Sequence, residues 1–156
     1  MKRRALVVVA VVAAAVTGVA LGAEKPDFSG QWVLDLGRST LQTPGIQSGT
    51  VHIVHREPAF SFARTFVSKD GPDEAKYELT TDGKEKVEVE GKMTTSSRLY
   101  WEGEQLVLDQ KIAVRNLTAT NVVHYSLSDG GRTLIAKESF RGPKLKYDNS
   151  WVFNRK

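Results

Sequence analysis

The sequence contains no cysteine. That excludes a disulfide framework, a thiolate metal site, a thiol nucleophile and a lipid-modified N-terminal cysteine. Histidine is nearly as scarce, with three residues. His52 and His55 stand three apart in a segment of strand character and so face opposite sides, while His124 carries the outward parity of its own segment. Three ligands cannot converge on one ion from that arrangement, and no metal is expected. Gly-x-Ser-x-Gly, His-Glu-x-x-His and a Gly-rich phosphate loop are all missing, which speaks against a hydrolase; neither an enzyme nor a cofactor is expected. An enzyme on this chain would need Glu138 or His55 as a general base.

Charge of one sign is also missing once the N-terminus is set apart. The chain has 22 Lys and Arg against 18 Asp and Glu, but Lys2, Arg3 and Arg4 precede an apolar run over residues 5–16. Without those three, 19 cations face 18 anions, and the basicity that would suit a nucleic-acid partner is gone. A charged start, an apolar core and small residues at Ala20, Gly22 and Ala23 have the order of a signal peptide. We expect residues 1–23 to be removed, with a mature start between Leu21 and Glu24, leaving 24–156 as one domain. The expected product is an exported monomer, periplasmic or extracellular, with no stable membrane anchor after processing.

Sustained three-and-four apolar spacing is absent from the rest. Short alternating runs cut by turn residues take its place. They predict ten strands, at 30–36, 51–56, 60–69, 74–81, 84–90, 92–101, 105–114, 118–128, 132–141 and 147–155. Pro58, Asp70-Gly71, Asp82-Gly83, Gly103, Asp129-Gly130 and Gly142-Pro143 mark hairpin turns. The one long connection, 37–50, contains Pro44-Gly45 and is read as a loop. Such a meander has two unprotected edges unless it closes, so the expected fold is all-β, an up-and-down antiparallel barrel of about ten strands. A β-sandwich is the alternative, because the same alternation serves two packed sheets.

Phe28-Ser29-Gly30-Gln31-Trp32 resembles the Gly-x-Trp first-strand signature of the lipocalin and fatty-acid-binding-protein superfamily, the calycins. The resemblance implies a barrel around an apolar cavity that carries a small hydrophobic or amphiphilic molecule. It also implies structural roles for Gly30 and Trp32, with Trp32 plugging the closed end and Arg155 packing on it. Two departures stand out. Residues 37–50 are too short for the helix pair of fatty-acid-binding proteins, and the chain ends on a strand rather than on the helix of a lipocalin.

Placing the apolar face of each strand inward puts Trp32, Leu36, Phe62, Phe66, Tyr77, Val87, Val89, Leu108, Tyr125 and Trp151 in the interior. Parity then brings polar residues in with them: Arg64, Ser97, Gln110, Asn121 and Glu138, along with His55 and Asn149. Glu88 and Glu90 take the outward face. A buried guanidinium needs a partner. Arg64 is therefore expected to pair with Glu138, to reach the mouth, or to hold a ligand anion. The candidate ligand-binding set is Arg64, Tyr77, Ser97, Gln110, Asn121, Tyr125 and Glu138, against a competing expectation of a structural or protein-interaction barrel filled by its own aromatics.

Overall fold

The structure is a computed structural model that describes residues 24–156. The expected export segment lies outside the described residues. The strands are β1 (Gly30–Leu34), β2 (Thr40–Leu41), β3 (Ile46–Arg56), β4 (Ala59–Ser68), β5 (Gly71–Thr80), β6 (Lys86–Glu90), β7 (Met93–Glu102), β8 (Gln105–Val114), β9 (Leu117–Ser128), β10 (Thr133–Arg141) and β11 (Lys146–Arg155). All ladders are antiparallel, and among the described residues the only helical element is a 3-10 turn at Asp129–Gly131. The order across the sheet is β5-β4-β3-β1-β11-β10-β9-β8-β7-β6, with β2 beside β11. The meander thus wraps into a nearly closed barrel.

β1 supplies the closure. It pairs Trp32 with Val51 of β3 on one side and with Arg155 of β11 on the other. At the opposite seam β5 and β6 form no ladder; Lys86 Nζ donates to the Glu78 carbonyl across it at 3.0 Å, and Asp82 forms an isolated bridge with Tyr100. The edges are poor templates for further pairing, since β5 carries Pro72 beside Asp73 and Glu74, and β6 alternates Lys86, Glu88 and Glu90 with its valines.

Trp32 and Phe28 are fully buried at the end where β1 starts. Trp32 Nε1 donates to the Phe28 carbonyl at 3.2 Å, and the Arg155 guanidinium lies over the indole at 4.2 Å. Arg155 also donates to the Ser29 carbonyl. Gly30 is required for this stack: its φ is +147°, and a Cβ there would meet Arg155 Nη1 at 2.5 Å.

The same end holds a polar network that is buried at His55 and Thr81 and reaches solvent at Glu57. The Phe28 N–H donates to His55 Nδ1 at 3.3 Å, which leaves the ring proton on Nε2 to donate to Glu57 at 2.8 Å. Thr81 and Trp101 donate to the same carboxylate at 2.6 and 2.9 Å. His55 therefore serves the closed end and does not line the cavity in the other half of the barrel.

Three expectations fail in detail. Val87 and Val89, read as inward, are 55% and 72% exposed, because β6 is an edge strand that does not reach over the interior. Leu36 is 42% exposed, since β1 stops at Leu34 and the chain turns. The segment 37–50 is not all loop: it holds β2 and the start of β3. There Gly49 is a spacer rather than a breaker, for a Cβ would meet the Phe66 ring at 2.5 Å.

The closed end is open to two tests. Trp32→Ala should lower the unfolding free energy by about 3 to 5 kcal/mol in urea titrations, the usual cost of removing a buried large aromatic, and a loss below about 1 kcal/mol would contradict the plug. Glu57 provides the second. Burial pushes its carboxyl up, but hydrogen bonds from Thr81, His55 and Trp101 outweigh that and hold it below the ordinary 4.5. A carboxyl depressed in the folded state stabilises above its unfolded pKa and loses that contribution as pH falls through the folded value. Thermal melts between about pH 7 and pH 3 should therefore show a shallower acid-side decline for Glu57→Gln than for wild type; parallel curves would contradict the network.

Candidate ligand cavity

The half of the barrel away from Trp32 holds a cavity of about 200 Å³ that opens to solvent at its rim. Alternation builds its wall, since β4 turns Phe62, Arg64 and Phe66 inward, and the neighbouring β5 turns Tyr77 and Asp73 to the same face. β11 adds Tyr147, Trp151 and Phe153, and β9 adds Val123 and Tyr125. The aromatics pack on one another: Phe66 stacks on Trp151 at 4.6 Å between centroids, and Phe62 contacts Tyr77 and Tyr125 at 5.8 and 5.9 Å.

Two polar rows reach this apolar wall, at Gln110 and Asn121 and at Glu138, each made of residues directly opposite one another on neighbouring strands. Ser97, Gln110 and Asn121 form the first, across β7, β8 and β9. Gln110 Nε2 donates to Ser97 Oγ at 3.1 Å, and Asn121 Nδ2 donates to Gln110 Oε1 at 3.3 Å. Asn121 Oδ1 is buried without a partner. Glu138 and Asn149 form the second row, across β10 and β11. Glu138 Oε2 accepts from Asn149 Nδ2 and from Trp151 Nε1, both at 2.9 Å, and Asn149 also donates to Thr43 Oγ1 at 2.8 Å.

Six of the seven expected residues, Arg64, Tyr77, Gln110, Asn121, Tyr125 and Glu138, come together on this cavity. Ser97 stands behind Gln110, buried and off the cavity wall. Of the three expectations for Arg64, the pairing with Glu138 is corrected: Arg64 Nη1 pairs with Asp73 at 2.6 Å, and its guanidinium lies over Phe66 at 4.7 Å. The reason is strand length. β5 begins at Gly71 rather than at residue 74, which carries Asp73 onto the inward face diagonal to Arg64. The pair sits at the rim, with Arg64 24% and Asp73 72% exposed, so it is worth about 0 to 1 kcal/mol.

Sequence reading missed Thr43, Asp73 and Tyr147. Tyr147 shares the parity of Asn149, Trp151 and Phe153, so one further step of that alternation would have found it; Thr43, in the turn before Pro44, carried no signal. Burial, then Glu138, pushes the Tyr147 hydroxyl up to about 12, with Arg64 opposing. Burial, then Tyr77 and Glu138, drives the Tyr125 hydroxyl up as well, again against Arg64. Both phenols are neutral at physiological pH, able to donate and to accept.

A nearly closed ten-strand meander with its first strand beside its last, a buried Gly-x-Trp at one end and a cavity at the other has a calycin-like barrel fold. Solved structures agree on the fold. Zebrafish ileal bile acid-binding protein, in complex with cholic acid, superposes with a TM-score of 0.53 at 14% identity, over 83% of this chain and 98% of that one. Human cRBP IV gives 0.52 at 16% identity, over 84% and 99%. Secretory abundant heat soluble protein 4 from Ramazzottius varieornatus gives 0.51 at 15% identity, over 83% and 94%. No protein-family profile and no curated protein sequence matches the chain.

Double-mutant cycles on unfolding free energy test the polar wiring. Glu138→Gln with Trp151→Phe should show coupling of about 1 kcal/mol or more, as for a hydrogen bond to a charged group, and Arg64→Met with Glu138→Gln less than about 0.5 kcal/mol. The reverse order would restore the Arg64–Glu138 pair.

Proposed function

We propose that this protein is an exported, non-catalytic binding barrel that holds a small hydrophobic or amphiphilic molecule in the cavity between β3, β4, β5, β8, β9, β10 and β11. The observation that carries the proposal is the cavity wall itself, mostly apolar and aromatic, with a few hydrogen-bonding groups grouped on two rows. That composition suits a guest with an apolar body and one polar head. The ileal bile acid-binding protein, in complex with cholic acid, illustrates that a barrel of this shape can hold an amphiphile. Export rests on the charged, apolar and small-residue order of residues 1–23. A non-catalytic role is supported by the separation of the two candidate bases: His55 is committed to Glu57 at the closed end, and Glu138 Oε2 is held by two donors.

One observation favours the second reading, a structural barrel filled by its own side chains. The cavity, about 200 Å³, is smaller than the usual ligand pocket of about 300 Å³ or more. Native mass spectrometry of the exported protein, combined with calorimetric titration of toluene, a neutral probe of the size the cavity admits, separates the two. The binding reading expects a mature mass starting between Leu21 and Glu24, a retained small molecule or saturable toluene uptake, and at least about a tenfold loss of that uptake in Ala136→Leu, which fills the cavity. A folded protein that takes up nothing would leave the structural barrel.

A further inference from the structure

The chemistry of the polar groups points to a head of particular sign. Two acidic residues and one basic residue line the cavity: Asp73, Glu138 and Arg64. Arg64 is already held by Asp73 at 2.6 Å. Glu138 receives two neutral donors on Oε2 and, among the described residues, no cation pairs with it. Asn121 Oδ1 adds a buried acceptor that no protein donor reaches. The cavity therefore has a formal excess of negative charge and a surplus of acceptors, while its tyrosine hydroxyls serve either sign.

The apolar part of the wall points the same way. Phe62, Phe66, Tyr77, Tyr125, Trp151 and Phe153 give the cavity an aromatic lining, and aromatic faces attract organic cations. A carboxylate head would meet Glu138 as a like charge and would have to displace Asp73 from Arg64. An ammonium would be drawn to Glu138, could supply the donor that Asn121 lacks, and would be bounded by aromatic faces. Volume limits the body. A cavity of about 200 Å³ is only modestly larger than the ~150 Å³ cavities that accept a benzene ring.

We propose that the ligand is a compact apolar amine, of the size of one aromatic ring with a short alkyl arm, whose ammonium is held by Glu138 and Asn121. This rests on the binding-barrel reading above and narrows it to one ligand class.

Three matched probes test it: 2-phenylethylammonium, 2-phenylethanol and 3-phenylpropionate, titrated into the mature protein at fixed ionic strength, with intrinsic tryptophan fluorescence as one readout and calorimetry as the other. Trp151 lies on the cavity wall, so the fluorescence reports occupancy directly. The ammonium should bind at least about tenfold more tightly than the carboxylate, the usual worth of a hydrogen bond to a charged group. Glu138→Gln keeps an acceptor for Asn149 and Trp151, and should bring the two within about threefold of each other. Asn121→Leu, a second and independent variant, should weaken the ammonium and the alcohol alike by about threefold or more.

Tighter binding of 3-phenylpropionate would overturn the amine assignment and make Arg64 the head-group anchor. Equal affinity for all three probes would show that the head is not read. Failure of all three with retained toluene binding would also overturn the amine, leaving the cavity reading intact. Failure of toluene as well would overturn both.

Discussion

The barrel depends on a five-residue strand. β3, β4 and β5 form one half of the sheet and β6 to β11 the other, and β1 alone carries ladders to both. The facing seam between β5 and β6 has no ladder to share the work. With no cysteine to cross-link the halves, closure rests on what β1 buries. Trp32 is that group, and Arg155, Phe28 and Gly30 are arranged around it so that the indole is covered and its N–H satisfied. A buried N–H without an acceptor would cost about 1 to 3 kcal/mol, which explains why the chain before β1 is pinned by its own hydrogen bonds to His55 rather than left loose.

The cavity end carries polar groups of its own. Glu138, Gln110 and Asn149 sit among aromatic side chains, an environment that penalises polar groups unless they are paired. Each is paired by a residue directly opposite on a neighbouring strand, so the ladder register that defines the barrel also satisfies its interior. Asn121 Oδ1 breaks the pattern. It is the single buried side-chain atom without a partner among the described residues, and it lies on the cavity wall. The other polar groups of the two rows are satisfied by their cross-strand partners, and this atom is not.

Much of this was legible in the sequence because turns and parity are local. Pro58, Asp70-Gly71, Gly103 and Gly142-Pro143 bound the strands close to where they lie, and the alternation of Phe60, Phe62, Arg64 and Phe66 faces inward as read. What was not legible depends on partners far along the chain. Val87 and Val89 alternate like core residues, but β6 has a neighbour on one side only, and nothing in its own sequence says so. Gly49 resembles a loop residue until Phe66 is placed against it. The partner of Arg64 turned on whether the next strand began at residue 71 or 74, a difference of boundary that moved an aspartate from a turn onto the inward face.

The claim that β1 joins two half-barrels into one frame can be measured by native-state amide hydrogen exchange followed residue by residue. The ladder amides of Gly30–Leu34 and of their partners in β3 and β11 should exchange only through global unfolding, at the free energy that denaturant titration gives for the whole molecule, while those of Lys86–Glu90 at the open seam exchange through smaller, local openings. If the β1 amides instead exchange as fast as those of β6, with β8, β9 and β10 still protected, the two halves are held together by something other than β1, and Trp32 with its cover of Phe28 and Arg155 is not what closes the barrel.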